Sequence, residues 1–334
     1  MSRGAALTGA LLITLATPVT WPLALAAFLL RGGIALVTIP IVVLPTPVGL
    51  GNVVAPTLTA IALGSIPGAA IAVGAAAVVG AVAWLLLGGG LAAALEAEGA
   101  RIVARDEEVA AFRATAPRGG PTAVARDARV AGRVLAARLV AYLPLGLVAI
   151  WGSLRLVSVT YAELTVPSDV TTSIVLRVVR GAPEVAVLVA LAWMVGEIVG
   201  AVAARRIVLA GDPVAAALRT AVRASVRHPL AALVRFWLPT LTLVVVLVPS
   251  ALAAASAWAA VGVVLGEGAD PFSVLAAVVL FVTLWVVGLL LAAVVCAWRA
   301  AVWTVAEVVG RGTFGGSSNR RPGDWRTGPS SATL

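Results

Sequence analysis

The chain contains no lysine, one cysteine and one histidine, and only 12% of its 334 residues are charged. Each scarcity excludes something. A single cysteine, Cys296, cannot close a disulfide within the chain or build a cysteine metal site. His228 alone cannot form a histidine metal cluster, and a serine nucleophile would have no other imidazole as its base. The absence of lysine removes the phosphate-binding loop, whose lysine reaches the nucleotide phosphates. The charge content is half the ~25% typical of soluble proteins. With 61% hydrophobic residues and a mean hydropathy of +1.07, lipid is the expected solvent for most of the chain.

What charge there is consists mostly of arginine, with a net charge of +9. The arginines flank apolar runs, the pattern of membrane topology rather than of nucleic-acid binding. Six runs are long enough to cross a ~30 Å hydrocarbon core: 22–44, 68–95, 138–158, 183–204, 236–261 and 272–298. The expected fold is an all-α polytopic bundle of three hairpins joined by amphipathic cytoplasmic elbows. It occupies residues 1–309, and a Gly-, Ser- and Arg-rich tail over 310–334 is expected to be disordered. The N-terminal stretch has two readings. Residues 5–18 form an interfacial helix before one span containing Arg31, or 7–30 and 34–50 form two spans. Arg3 favours the first.

Orientation follows from arginine placement. The segments 96–138 and 205–235 and the region from Arg299 onward hold nineteen arginines; the opposite side has only Arg155, Arg177 and Arg180. The positive-inside rule makes the first set cytoplasmic, in a plasma membrane with both termini inside. The clearest elbow is 213–227. Pro213 suits a first helical position, with Asp212 as a cap. Arg219, Arg223 and Arg227 recur every four residues beside the stripe Val214, Leu218, Val222 and Val226. That pattern places guanidinium groups next to an aliphatic ridge, suited to anionic phospholipid headgroups. Residues 122–134 repeat the theme.

The second half carries a faint repeat. Tyr142-Leu143-Pro144 is echoed by Trp237-Leu238-Pro239, and Trp193-Met194-Val195-Gly196 by Trp285-Val286-Val287-Gly288. The segments "AFLLRGGIALVTIPIVVLPTPVG" (27–49) and "ARRIVLAGDPVAAALRTAVRASVRHP" (204–229), with hairpins entered by basic elbows and a proline, resemble six-span proteins related to the membrane domain of glycerophosphoryl diester phosphodiesterases. The resemblance implies a fold and a membrane role. It implies no activity, because no soluble catalytic domain accompanies it.

No constellation of catalytic residues, cofactor motif or metal site emerges. Asp106-Glu107-Glu108 reads as a solvated run, and the uncharged, proline-rich loop 45–67 as a connection lying on the headgroups. The expected function is therefore non-enzymatic: organisation of lipids or partner proteins, with a small secondary transporter, its path near the buried charges Arg31 and Glu197, as the alternative. One position stands apart. Glu197 lies inside the apolar run "LVALAWMVGEIVGAV" (188–202), flanked by Gly196 and Gly200 at a spacing that admits a close neighbouring helix. A buried carboxylate requires a partner. Depth along the spans puts Arg31 within a few ångström of its level, which suggests an Arg31–Glu197 ion pair between the first two hairpins; the alternative is a protonated Glu197 bonded to a backbone carbonyl, with Arg31 reaching the cytoplasmic interface.

Overall fold

Apolar runs with few charges leave the backbone no partner but itself, so they form helices. The structure is a computed structural model that describes residues 3–38, 60, 64–65, 67–106, 121–166, 168–169, 171–268 and 270–315. No strand occurs among them. The helices are α1 (Arg3–Ala16), α2 (Thr20–Phe28), α3 (Ile34–Thr38), α4 (Gly68–Asp106), α5 (Pro121–Ala141), α6 (Leu143–Thr165), α7 (Ile174–Gly181), α8 (Pro183–Ala210), α9 (Val214–Arg227), α10 (Pro229–Gly266) and α11 (Pro271–Gly315).

Six helical stretches are long and apolar enough to cross a membrane: Thr20–Thr38, Gly68–Arg105, Leu143–Thr165, Pro183–Ala210, Pro229–Gly266 and Pro271–Val308. The chain is thus an all-α, multi-pass integral membrane protein. The 14-residue α1 is too short to cross. It lies along the end of α11, where Ala10 is buried against Val302 and Val305, and the Trp298 indole N–H donates to the Leu7 carbonyl at 3.2 Å.

Three sequence expectations change in detail. The third span does not begin at 138. Residues 138–141 complete the basic helix α5, and the chain kinks at Tyr142 before α6. Pro144 causes the break, because its ring clashes with the preceding turn and it lacks an N–H. The elbow helix begins at Val214 rather than Pro213, and Asp212 does not cap it. Its carboxylate instead accepts a 2.8 Å hydrogen bond from Arg206 Nε. Finally, α11 continues to Gly315, past the boundary expected at 310. The rest of the tail, residues 45–59 of the loop, and Glu107 and Glu108 lie outside the described residues. On the opposite side, Asp270 caps α11. Hydrogen bonds from the Ser273 hydroxyl and from the Ser273 and Phe272 amides hold its carboxyl below the usual range.

The largest buried clusters lie at one end of the bundle, and two smaller ones, around Phe281 and around Val185, lie toward the other. In α4, residues 71–87 are exposed on every face, whereas Ala92, Ala93, Ala97, Ala100 and Ala104 are buried. A helix apolar all round and exposed faces lipid. Buried residues of α8 and α11 concentrate in their last halves in the same way. Alanine dominates this core. Where lipid is as apolar as the protein, association depends on close backbone packing, and small residues allow it. The basic helices α5 and α9 pack on this same end, through Val134 and Ala137 of α5 and Ala217 and Ala221 of α9 against Ala203 and Ile207 of α8.

Candidate functional site: a buried arginine–carboxylate cluster

The packed end holds six ionised side chains contributed by all three hairpins. On α4, the Glu96 carboxylate accepts hydrogen bonds from Arg31, Arg138 and Arg205. On α8, the Glu197 carboxylate accepts one from the Tyr142 hydroxyl and one from Arg299 Nη2 at 2.5 Å. Arg138 joins the two halves: its Nη2 is 2.6 Å from Glu96 and its Nη1 3.5 Å from Glu197. Arg205 also donates to the Ala300 carbonyl at 3.2 Å. Arg299 lies 5.9 Å from the centre of the Phe236 ring, a cation–π arrangement. Phe236 is in turn packed edge-on by Trp193 at 5.2 Å.

The expected Arg31–Glu197 pair is not formed. Arg31 belongs to Glu96, and Glu197 to Arg299, Arg138 and Tyr142. The two residues are ends of one chain of contacts, Arg31–Glu96–Arg138–Glu197–Arg299. Depth placed both at the right level, but depth could not choose between neighbours. Glu96 was hidden because it follows the second apolar run directly and reads as the start of a solvated link. Its signal was the apolar stretch on its N-terminal side, Leu91 to Leu95. Arg138, Arg205 and Arg299 each stand at the edge of a span, where topology alone places an arginine.

Local backbone geometry brings these groups together. Between α2 and α3 the chain kinks within Leu29–Gly33, at Gly32 with φ 103°. A side chain at Gly32 would be strained there. The kink follows Arg31 directly and separates the direction of α2 from that of α3 at the point where this side chain leaves the backbone. On α8, Gly196 and Gly200 act as expected, and the neighbour they admit is α5 together with Tyr142. A Cβ at Gly196 would lie 2.7 Å from the Tyr142 ring and 3.1 Å from the Ala141 carbonyl. One at Gly200 would lie 2.9 Å from Arg138 Cδ. The two glycines therefore leave the space through which Tyr142 and Arg138 reach the acids. In the echoed position of the third hairpin, Gly288 makes the same kind of approach to Ser250, at 2.8 Å.

A second ionic group lies at the end of α8, where Arg206 joins Asp212 and Glu307. Arg101 is held by Glu98 and Asp127.

The arginines of α9 occupy a different place. Ala217 and Ala221 bury one face of the helix. Arg219, Arg223 and Arg227 are exposed on the opposite face, together with Val222 and Val226. At about 100° per residue these five side chains cover an arc of roughly 140°. The apolar stripe divides accordingly: Val214 and Leu218 pack against the bundle, while Val222 and Val226 remain free on the arginine side.

Compared with known protein families, characterised proteins and solved structures, the chain matches none.

Proposed function

We propose that the protein is a non-enzymatic plasma-membrane protein that organises anionic phospholipids at its cytoplasmic face, and through them its partner proteins. The supporting observation is the outward face of α9. Its three arginines and two valines point away from the bundle, on a helix held flat by its alanine face. Arginine beside exposed aliphatic groups matches a headgroup layer with acyl chains beneath it. In full-length protein reconstituted with mixed lipids, changing Arg219, Arg223 and Arg227 together to glutamine should lower phosphatidylglycerol enrichment around the protein. Each charge contributes about 1 kcal/mol at an anionic surface. Lipid co-purification counted by mass spectrometry reads this out, and unchanged enrichment would sink the proposal.

The orientation that places this face inside the cell rests on the arginine asymmetry. It is supported by the gathering of α1, α5, α9 and the end of α11 at one end of the bundle. Cys296 is buried, so cysteines introduced elsewhere report without background. Ser168→Cys should react with an impermeant thiol reagent in intact cells, and Thr115→Cys should react only after lysis. Labelling of position 115 from outside would reverse the topology.

The competing reading, a small secondary transporter, calls for a polar cavity at mid-membrane. The crevice between α3, α10 and α11 has an apolar lining that includes Leu36, Val37, Leu247 and Leu289. The one hydroxyl there, Ser250, is turned back onto the Val246 carbonyl at 2.7 Å. This crevice offers no polar path, and Arg31 and Glu197, near which a transporter's path is expected, do not line it.

A further inference from the structure

The charges of the buried cluster do not balance. Among the described residues, Arg31, Arg138, Arg205 and Arg299 face only Glu96 and Glu197, so cations exceed anions by two. The acids nearest along the chain are committed elsewhere, Glu98 and Asp127 to Arg101, and Asp212 and Glu307 to Arg206. The excess is not spread over water. The side chains of Arg138 and Arg205 are only 9% and 3% exposed. Hydrogen-bond donors are also left over: Nε of Arg138 and Nε of Arg205 are buried without an accepting partner among the described residues, and Nη1 of Arg138 reaches Glu197 only as a 3.5 Å ion pair. Uncompensated guanidinium groups in a low-dielectric interior are strongly unfavourable, and buried N–H groups ordinarily find acceptors.

We infer that this cluster is a binding site for an oxyanion of the phosphate class, which supplies the missing negative charge and the missing acceptors. A phosphate group fits on both counts. It carries one to two negative charges, and its several oxygens can each accept from a guanidinium. Entry is at the Arg31 side, where the side chain is 32% exposed beside the kink at Gly32, with Arg299 the next most open at 18%. Arg31 therefore meets the anion first, and Arg138 and Arg205 hold it deeper, displacing part of their contact with Glu96. The site is separate from the surface of α9, and its occupant is either inorganic phosphate or the phosphate of a lipid headgroup.

The test uses full-length protein purified in a phosphate-free maltoside detergent, with radiolabelled orthophosphate as the probe. Saturable binding near one anion per chain is expected. Arg31→Gln should weaken it about tenfold, equivalent to loss of one charge-assisted hydrogen bond of ~1.4 kcal/mol. Arg31→Lys, which keeps the charge, should weaken it less. It also serves as the variant should Arg31→Gln fail to elute as folded protein. The triple glutamine variant of α9 should bind orthophosphate as wild type does, which separates this site from the lipid-facing surface. Adding phosphatidic acid distinguishes the source. Displacement of orthophosphate by the lipid assigns the site to a headgroup, and persistence of orthophosphate assigns it to the free anion. The inference is overturned if neither orthophosphate nor phosphatidic acid binds stoichiometrically, or if binding is the same in wild type, Arg31→Gln and Arg31→Lys.

Discussion

Glu96→Gln will largely abolish folded protein. Its carboxylate accepts from three arginines, two of them on side chains less than a tenth exposed. A neutral amide at this position leaves those cations facing one another across a low-dielectric gap. Removing one partner of a buried ion pair costs about 3–5 kcal/mol. Here one carboxylate serves three partners, and total stabilities are only about 5–15 kcal/mol. The expected readout is a fall of tenfold or more in monodisperse protein recovered from membranes. Glu98→Gln is the control two residues away. Glu98 is 44% exposed and pairs with Arg101 one turn along the same helix, so its loss should change stability by less than about 0.5 kcal/mol. A double replacement, Glu96→Gln with Arg205→Met, should recover part of the loss, because it removes the most deeply buried of the orphaned cations. Equal recovery of Glu96→Gln and wild type would show that the cluster does not hold the bundle together.

The second large effect is expected at Gly196→Val. Even the first carbon of a side chain would lie 2.7 Å from the Tyr142 ring and 3.1 Å from the Ala141 carbonyl oxygen. The ring could swing aside, but the backbone oxygen cannot. α5 would therefore have to move off α8, breaking the Tyr142–Glu197 hydrogen bond and lengthening the contacts of Arg138. Overpacking alone costs about 1–3 kcal/mol. The lost bond to a charged acceptor adds about 1.5–3 kcal/mol. A fall in thermal midpoint of at least several degrees is the expected result in detergent. Gly146→Ala provides the contrast. Nothing lies within 4 Å of a Cβ there, and alanine is the better helix former by about 1 kcal/mol, so stability should hold or rise slightly. If Gly196→Val melts with wild type, the close approach of α5 to α8 is wrong.

The extent to which the site was legible in the sequence can be judged residue by residue. Glu197 announced itself, because a carboxylate in an apolar run has few explanations. Gly196 and Gly200 announced a close neighbour, and one is there. Glu96 gave a weaker signal, since an acid at the edge of an apolar run is indistinguishable from the first residue of an aqueous link. The arginines gave an ambiguous one. Arg138, Arg205 and Arg299 stand where topology alone would put arginine, and nothing along the chain separates a guanidinium that anchors a span from one that turns inward. The short amphipathic helix α7, between the third and fourth spans, leaves an equally ambiguous pattern in the sequence. Its eight residues are too few to establish a period.

Composition and the length of apolar runs determined the fold class, the six spans and the two basic elbow helices. These depend on properties that act locally: backbone groups in lipid must bond within their own helix, and a helix needs about 20 apolar residues to cross. Which carboxylate meets which guanidinium was decided only by the tertiary structure. Several cations lie at one level of the bundle, and selection among them turns on helix rotation, the kink at Pro144, the kink at Gly32 beside Arg31 and the space left by two glycines. Those features set distances of a few ångström between residues up to 109 positions apart, and no periodicity along a single chain contains that information.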